Sequence, residues 1–242
     1  LAQVTTVLMF YIDAGMVGSL GAEPSAAIGL VEPATWLFFS LVSAVTMGFS
    51  VQVAHFIGAN DFAKARAVMR HGYIFGLCFA LLLLLITFLI GSRLPVWLGG
   101  GADIQHDATV YFLIFSLIIP FHLIEYMSAA MLKVSGDMRR PSSMAILMCV
   151  LDVIFNYFFI FPTRTVSLFG VEVTMPGLGE GVAGAALGSL LSFVCVALPL
   201  AYYAIFRSPI LAWKQDVERF VWRWQYIWNA MKIGAPMALQ YL

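Results

Sequence analysis

Six apolar runs, each near the length of a bilayer-crossing helix, constrain this chain more than any other feature. They are Leu1 to Leu20, Ile28 to Ile57, Tyr73 to Ile90, Ala108 to Leu132, Met144 to Phe161 and Val182 to Phe206, and a seventh starts at Ile233. About 20 apolar residues cross the hydrocarbon core as an α-helix, and in lipid a helix lets a single segment satisfy its own backbone polar groups. Composition agrees: 62% of residues are hydrophobic and 11% charged, with a mean hydropathy of +0.92, against roughly 25% charged in a soluble domain. The chain is therefore expected to be an all-α integral membrane protein, a six-helix transmembrane bundle plus the beginning of a seventh helix. The formal net charge is zero, so no global field points to nucleic acid or to an acidic partner.

The few charges are distributed unevenly. The connections after the second, fourth and sixth runs carry Lys64, Arg66 and Arg70, then Lys133, Arg139 and Arg140, then Arg207, Lys214, Arg219, Arg223 and Lys232; the others carry Arg93 and Arg164. Eleven of the thirteen cations thus fall on one side, which the positive-inside rule reads as cytoplasmic. The first helix then begins inside the cell and the sixth ends there. No signal peptide is expected, since no basic segment with a short apolar core and a small-residue cleavage site opens the chain. Both ends fall in apolar sequence, so the chain reads as a piece of something longer. Six spans per unit would place a second unit in the same orientation, as in parallel-repeat transporters.

Between the sixth and seventh runs, Trp213, Val217, Phe220, Trp224, Trp228 and Met231 recur at helical spacing among Lys214, Asp216, Glu218, Arg219 and Arg223. This pattern predicts an amphipathic helix from Trp213 to Lys232, lying at the cytoplasmic interface. The expected organisation is residues 1–206 as an amino-terminal six-helix lobe, 207–231 as a cytoplasmic amphipathic linker and 232–242 as the start of a second lobe. Pro120 is the proline deepest in a run, and bending is expected there; Pro141 suits the first turn of the fifth helix. Cys78, Cys149 and Cys195 lie in different runs without metal-ligand spacing and are expected to be core or lipid-facing residues.

Four acids fall within the spans: Asp13, Glu32, Glu125 and Asp152. None has a Lys or Arg in its own span, and a bare carboxylate at membrane depth costs about 2.5–3.5 kcal/mol on insertion scales. Such groups are expected to face protein, water or a cation. Asp152 and Asn156 stack on one helix face at i, i+4 spacing. With Asp13 they offer hard oxygen ligands of the kind that suit sodium, and Ser189 in the sixth run adds a hydroxyl. A plainer reading is interhelical hydrogen bonding, with a neutral acid at Asp13. Glu32, Glu125 and His122, one turn before Glu125, are secondary candidates for a proton or cation site. No phosphate-cradling glycine loop, His-Glu-x-x-His pair or serine triad setting is present, so neither an enzyme nor a bound cofactor is expected.

Four stretches stand in register along the chain. Asp13-Ala14-Gly15-Met16-Val17-Gly18-Ser19-Leu20-Gly21, Gly58-Ala59-Asn60-Asp61, Ser135-Gly136-Asp137-Met138-Arg139-Arg140-Pro141 and Gly181-Val182-Ala183-Gly184-Ala185-Ala186 together resemble the multidrug and toxic compound extrusion (MATE) family. The resemblance implies twelve helices in two six-helix lobes that open alternately to each side of the cell membrane. It also implies export of amphipathic, often cationic compounds against sodium or proton uptake, with this chain as the amino-terminal lobe and the carboxy-terminal lobe as its partner. Asp13 falls on the family's first-helix aspartate. In members with an amino-lobe cation site, an Asn and an Asp four residues apart on the fifth helix and a sixth-helix hydroxyl join it. Here the pair runs Asp152 then Asn156, and the hydroxyl falls nearest Ser189 in place of threonine. Two other readings are a lipid-linked saccharide flippase of related architecture, which usually needs cavity cations that the spans here lack, and a non-transporting membrane scaffold or receptor.

Overall fold

The computed structural model describes residues 2–168, 171–215 and 221–240, with the side chains of 2–8, 10, 165–168, 171–175, 215, 237, 239 and 240 outside the description. Helices dominate. The first three runs form α1 (Ala2–Gly18), α2 (Ala22–Gly58) and α3 (Phe62–Gly91), followed by a short turn of helix, α4 (Leu94–Trp97). Then come α5 (Gln105–Ser116), α6 (Ile118–Val134), α7 (Arg139–Ile160), a hairpin of β1 (Pro162–Leu168) and β2 (Val171–Leu178), α8 (Gly181–Tyr202) and α9 (Trp224–Gln240). Five helical runs are long and apolar enough to cross a membrane, and α1, at 17 residues, sits at the lower end of the spanning range. The protein is an all-α, multi-pass membrane protein.

Two of these helices start on the same device. Between α2 and α3, Asn60 takes a left-handed φ of 57°, and between α6 and α7 Gly136 does so at 89°. An aspartate follows each: Asp61 Oδ1 accepts the Lys64 backbone N–H at 3.1 Å, and Asp137 Oδ1 accepts that of Arg140 at 3.3 Å. The side chains of Lys64 and Arg140 then turn back to pair with the same carboxylates. Each aspartate thus satisfies a first-turn donor that a helix start leaves open. Hydrogen bonding by the Lys64 side chain and backbone holds the Asp61 carboxyl below its ordinary range. At Asp137 partial burial pushes upward, but the Arg140 side chain and backbone outweigh it and the carboxyl is again held low.

The structure departs from the sequence expectations in three places. The fourth run is two helices that break at Leu117, whose N–H turns back to Ile114 O at 3.1 Å. Pro120 is the cause: it has no N–H for the Ser116 carbonyl four residues earlier, so it sits in the first turn of α6 and the bend falls ahead of it. The connection after α7 is an antiparallel hairpin, with Arg164 opposite Met175 and Thr165 opposite Thr174. Its β-branched Thr163, Thr165, Val166, Val171, Val173 and Thr174 favour that backbone.

The third departure is the amphipathic helix over Trp213 to Lys232. A 3₁₀ turn at Trp213–Gln215 is followed, beyond residues 216–220, by non-helical 221–223, and α9 begins at Trp224. Val217, Phe220, Asp216, Glu218 and Arg219 lie outside the described residues. Within α9 the tryptophan stripe points outward: Trp224 and Trp228 are exposed, while Tyr226, Ile227 and Ala230 are buried.

Contacts divide the chain into two compact units: Leu1–Thr35 with Ile86–Ile118 and Ala145–Val194, and Trp36–Leu85 with Ile119–Met144 and Cys195–Leu242. The first unit packs Met16, Leu20, Ile28, Tyr111 and Phe161 around buried Val17, Ile160 and Ala185. In the second, Phe49, Met69, Leu123, Met127, Met131 and Leu200 are fully buried. Here α9 meets α2 backbone to backbone: a Cβ on Gly48 would overlap the Ala230 carbonyl, and one on Gly234 would overlap that of Ala44. The segment leading into α9 is also gripped. Arg66 Nη1 donates to Ile210 O at 3.1 Å, Arg70 Nη2 to Trp213 O at 2.9 Å, and Gln52 Nε2 to Tyr226 O at 3.0 Å, while His71 Nε2 accepts the Arg223 backbone N–H at 2.8 Å.

A candidate ion site on helices α1, α7 and α8

Within the first unit, α1, α7 and α8 bring three of the polar groups read from the sequence into contact. One nitrogen joins them: Asn156 Nδ2 donates to Asp13 Oδ1 at 2.9 Å and to Asp152 Oδ2 at 3.0 Å. The Asp152–Asn156 bond follows from the i, i+4 stacking of α7, and the other ties α7 to α1. The two accepting oxygens therefore lie within about 6 Å of each other. An amide NH2 has two donors, and both are used on carboxylates. Asp152 is fully buried and Asn156 nearly so, whereas Asp13 is half-buried.

The approach of α8 depends on small residues. A Cβ on Gly184 would overlap the Phe159 carbonyl, and one on Gly188 would overlap Asn156 Oδ1 and stand 2.8 Å from Asn156 N. With its nitrogen turned to the acids, the amide aims its oxygen at Gly188, and among the described residues that buried oxygen has no hydrogen-bond partner.

Besides Ser189, α8 brings to the acids a hydroxyl that the sequence reading did not select. Ser192 Oγ lies 3.1 Å from Asp152 Oδ1 and 2.7 Å from the Ser189 carbonyl, with its single proton available to either. Ser189 is buried one turn earlier on the same face of α8.

Of the secondary candidates, Glu32 lies exposed on α2 in the same unit. Glu125 and His122 belong to the second unit and have other neighbours: the His122 ring stacks on Phe39 with centroids 4.4 Å apart and planes 16° apart, and packs on Tyr126 at 5.6 Å. Among the described residues, no three His, Cys, Asp or Glu side chains cluster closely enough to hold a metal ion. A cation at Asp13 and Asp152 would draw on two carboxylates, with serine and amide oxygens completing its shell. The Asn156 amide would have to turn to contribute, since it now presents nitrogen.

Comparisons with known proteins agree with this architecture. The protein-family model described as MatE matches residues 1–158, well over half of the chain. The chain is 25% identical over 244 residues to the probable multidrug resistance protein NorM of Neisseria meningitidis serogroup A, covering 100% of this chain and 50% of the relative. It is 24% identical over 239 residues to the probable multidrug resistance protein NorM of Thermotoga maritima, covering 98% and 48%. A solved structure described as the outward-facing conformation of a multidrug resistance MATE family transporter of the MOP superfamily superposes with a TM-score of 0.85 at 22% identity, covering 99% of this chain and 50% of that one. The chain spans about half the length of the curated relatives it matches.

Proposed function

The chain belongs to the MatE family, and from that premise we propose that it forms the amino-terminal lobe of a secondary antiporter that exports amphipathic, often cationic compounds against sodium or proton uptake. Relatives named as multidrug resistance proteins support the transport part of this reading, and those names speak for transport over catalysis. The carboxy-terminal lobe would supply the other half of the pathway. The cation distribution supports a cell-membrane protein with its amino terminus in the cytoplasm.

One observation carries the coupling part: the Asn156 amide bridges Asp13 on α1 and Asp152 on α7. Two acids this close cannot both keep a full charge in a low-dielectric setting without a partner. Arrival or departure of a proton or a sodium ion therefore changes what holds α1 to α7. If the inward- and outward-open states differ in how tightly they grip that ion, its gradient biases which state is populated.

The experiment is compound efflux from vesicles carrying the full-length protein, with sodium and proton gradients imposed separately. Asp13→Asn keeps the shape of the side chain and removes its charge, and it is expected to abolish gradient-driven efflux while leaving membrane insertion intact. Efflux that continues unchanged in Asp13→Asn overturns the coupling role.

A further inference from the structure

We propose that Tyr157 and Phe161 form a two-walled aromatic cleft for an organic cation, and that the Arg164 guanidinium occupies it as a stand-in until such a compound displaces it. This rests on the transport reading for the source of the compound, and it adds a binding site made without the acids.

The cleft follows from the local sequence. Tyr157 lies in the last turn of α7, and Phe161 four residues on keeps to the same face. Their ring centroids are 5.6 Å apart with planes at 54°. Pro162 disfavours helix at the residue before it, so the chain leaves α7 at Phe161 and enters β1. Arg164 in β1 then folds back onto the rings. Its guanidinium carbon stands 4.8 Å from the Tyr157 centroid and 4.2 Å from that of Phe161, and its Nε donates to the Tyr157 hydroxyl at 3.1 Å. One cation is thus held by both rings at once.

The negative faces of the rings attract a cation. A guanidinium is held more firmly by a bidentate carboxylate, yet among the described residues none lies within ion-pair distance of Arg164. Two rings and one hydroxyl suit an amphipathic guanidinium, amidinium or protonated amine, and they lack the oxygen shell that a hard metal ion requires. Arg164 is exposed, and a cation–π contact at an exposed site is weak enough to exchange. The walls are steadier than the occupant, because Phe161 packs against buried Val17, Ile160 and Ala185. In the orientation proposed above the cleft lies toward the outer side of the acids, with Phe161 about 7 Å along the chain past Asn156. A compound released on that side passes from a carboxylate region to a neutral aromatic one.

The probe is benzylguanidinium, added to purified full-length protein that carries isotope-labelled arginine. Ring currents displace the Arg164 Nε–H resonance while the guanidinium is stacked, and its loss in Arg164→Gln identifies it. The probe is expected to move that resonance toward its position in Tyr157→Leu. Calorimetry supplies the affinity: Arg164→Gln should bind the probe about fivefold more tightly, the factor by which an exposed cation–π contact keeps the cleft closed. Arg164→Gln added to Tyr157→Leu should bring no such gain, which separates emptying the cleft from removing a positive charge. Arg93→Gln, lacking the other outer cation, should bind as wild type does. An Arg164 resonance that stays in place at saturating probe overturns the proposal. So does an unchanged affinity in Arg164→Gln, or an equal gain on the Tyr157→Leu background. Binding needs no transport, so the expected displacement in a protein that moves no compound under either gradient would overturn the transport reading alone.

Discussion

Asn156 turns its nitrogen to two carboxylates, so its amide oxygen must point the other way, and it ends buried against Gly188 with no hydrogen-bond partner among the described residues. An unsatisfied buried acceptor costs about 1–3 kcal/mol, which two donations to the acids, stronger where the acceptor is ionised, are able to offset. The arrangement exists because residue 188 has no Cβ. Gly188→Ala is expected to push α8 off α7, lowering the thermal midpoint of the full-length protein by an overpacking cost of about 1–3 kcal/mol and weakening gradient-driven efflux. Gly29→Ala, where a Cβ would meet nothing within 4 Å, should change neither; melting curves and vesicle efflux measure both. Asp13, Asp152 and Asn156 were legible in the sequence because lone acids in apolar runs are costly and i, i+4 spacing dictates a shared face. Ser192 was not. A helix serine ordinarily bonds back to its own helix, as Ser192 also does, and nothing local distinguishes one that also reaches a neighbouring helix.

The starts of α3 and α7 show how short polar motifs act as punctuation. In Asn60-Asp61 and Gly136-Asp137 the first residue makes the left-handed turn and the second caps the helix and pairs with a cation three residues on. Both carboxyls are held below the ordinary value of about 3.9. Because the folded value is the lower one, their stabilising effect is fully present above that ordinary value and is lost as pH falls through the depressed one. Asp137→Ala is expected to lower the thermal midpoint at neutral pH more than Asp137→Asn, which keeps a capping oxygen. The gap between wild type and Asp137→Asn should close below about pH 4, as pH-dependent melting would show. The long helices were legible from apolar run length, since lipid leaves a spanning segment few alternatives. The break at Leu117 was displaced from the proline that causes it, because proline withholds its donor from a carbonyl one turn upstream. The hairpin escaped notice because its strands, of 7 and 8 residues, lie between two spans whose apolar signal dominates.

At the scale of the whole molecule, the lopsided placement of eleven of thirteen cations predicts one orientation. In the full-length protein on a cysteine-free background, single cysteines at positions 60, 137 and 214 should react with an impermeant thiol reagent only from the cytoplasmic side, and those at 93 and 164 only from outside. The reverse pattern would overturn the orientation. The segment leading into α9 has a different kind of consequence. Gln52, Arg66, Arg70 and His71 hold it through the backbone atoms of Tyr226, Ile210, Trp213 and Arg223, which every amino acid but proline supplies in full. Lys214→Gln with Val221→Ala should therefore leave its resistance to limited proteolysis unchanged, while Arg66→Ala with Arg70→Ala should speed cleavage several-fold. Positions outside these contacts, such as Lys214 and Val221, are free to change charge and texture between descendants, whereas Trp213, Trp222 and Tyr226, whose rings also pack on Arg70, Tyr73 and His71, stay bound to their identity.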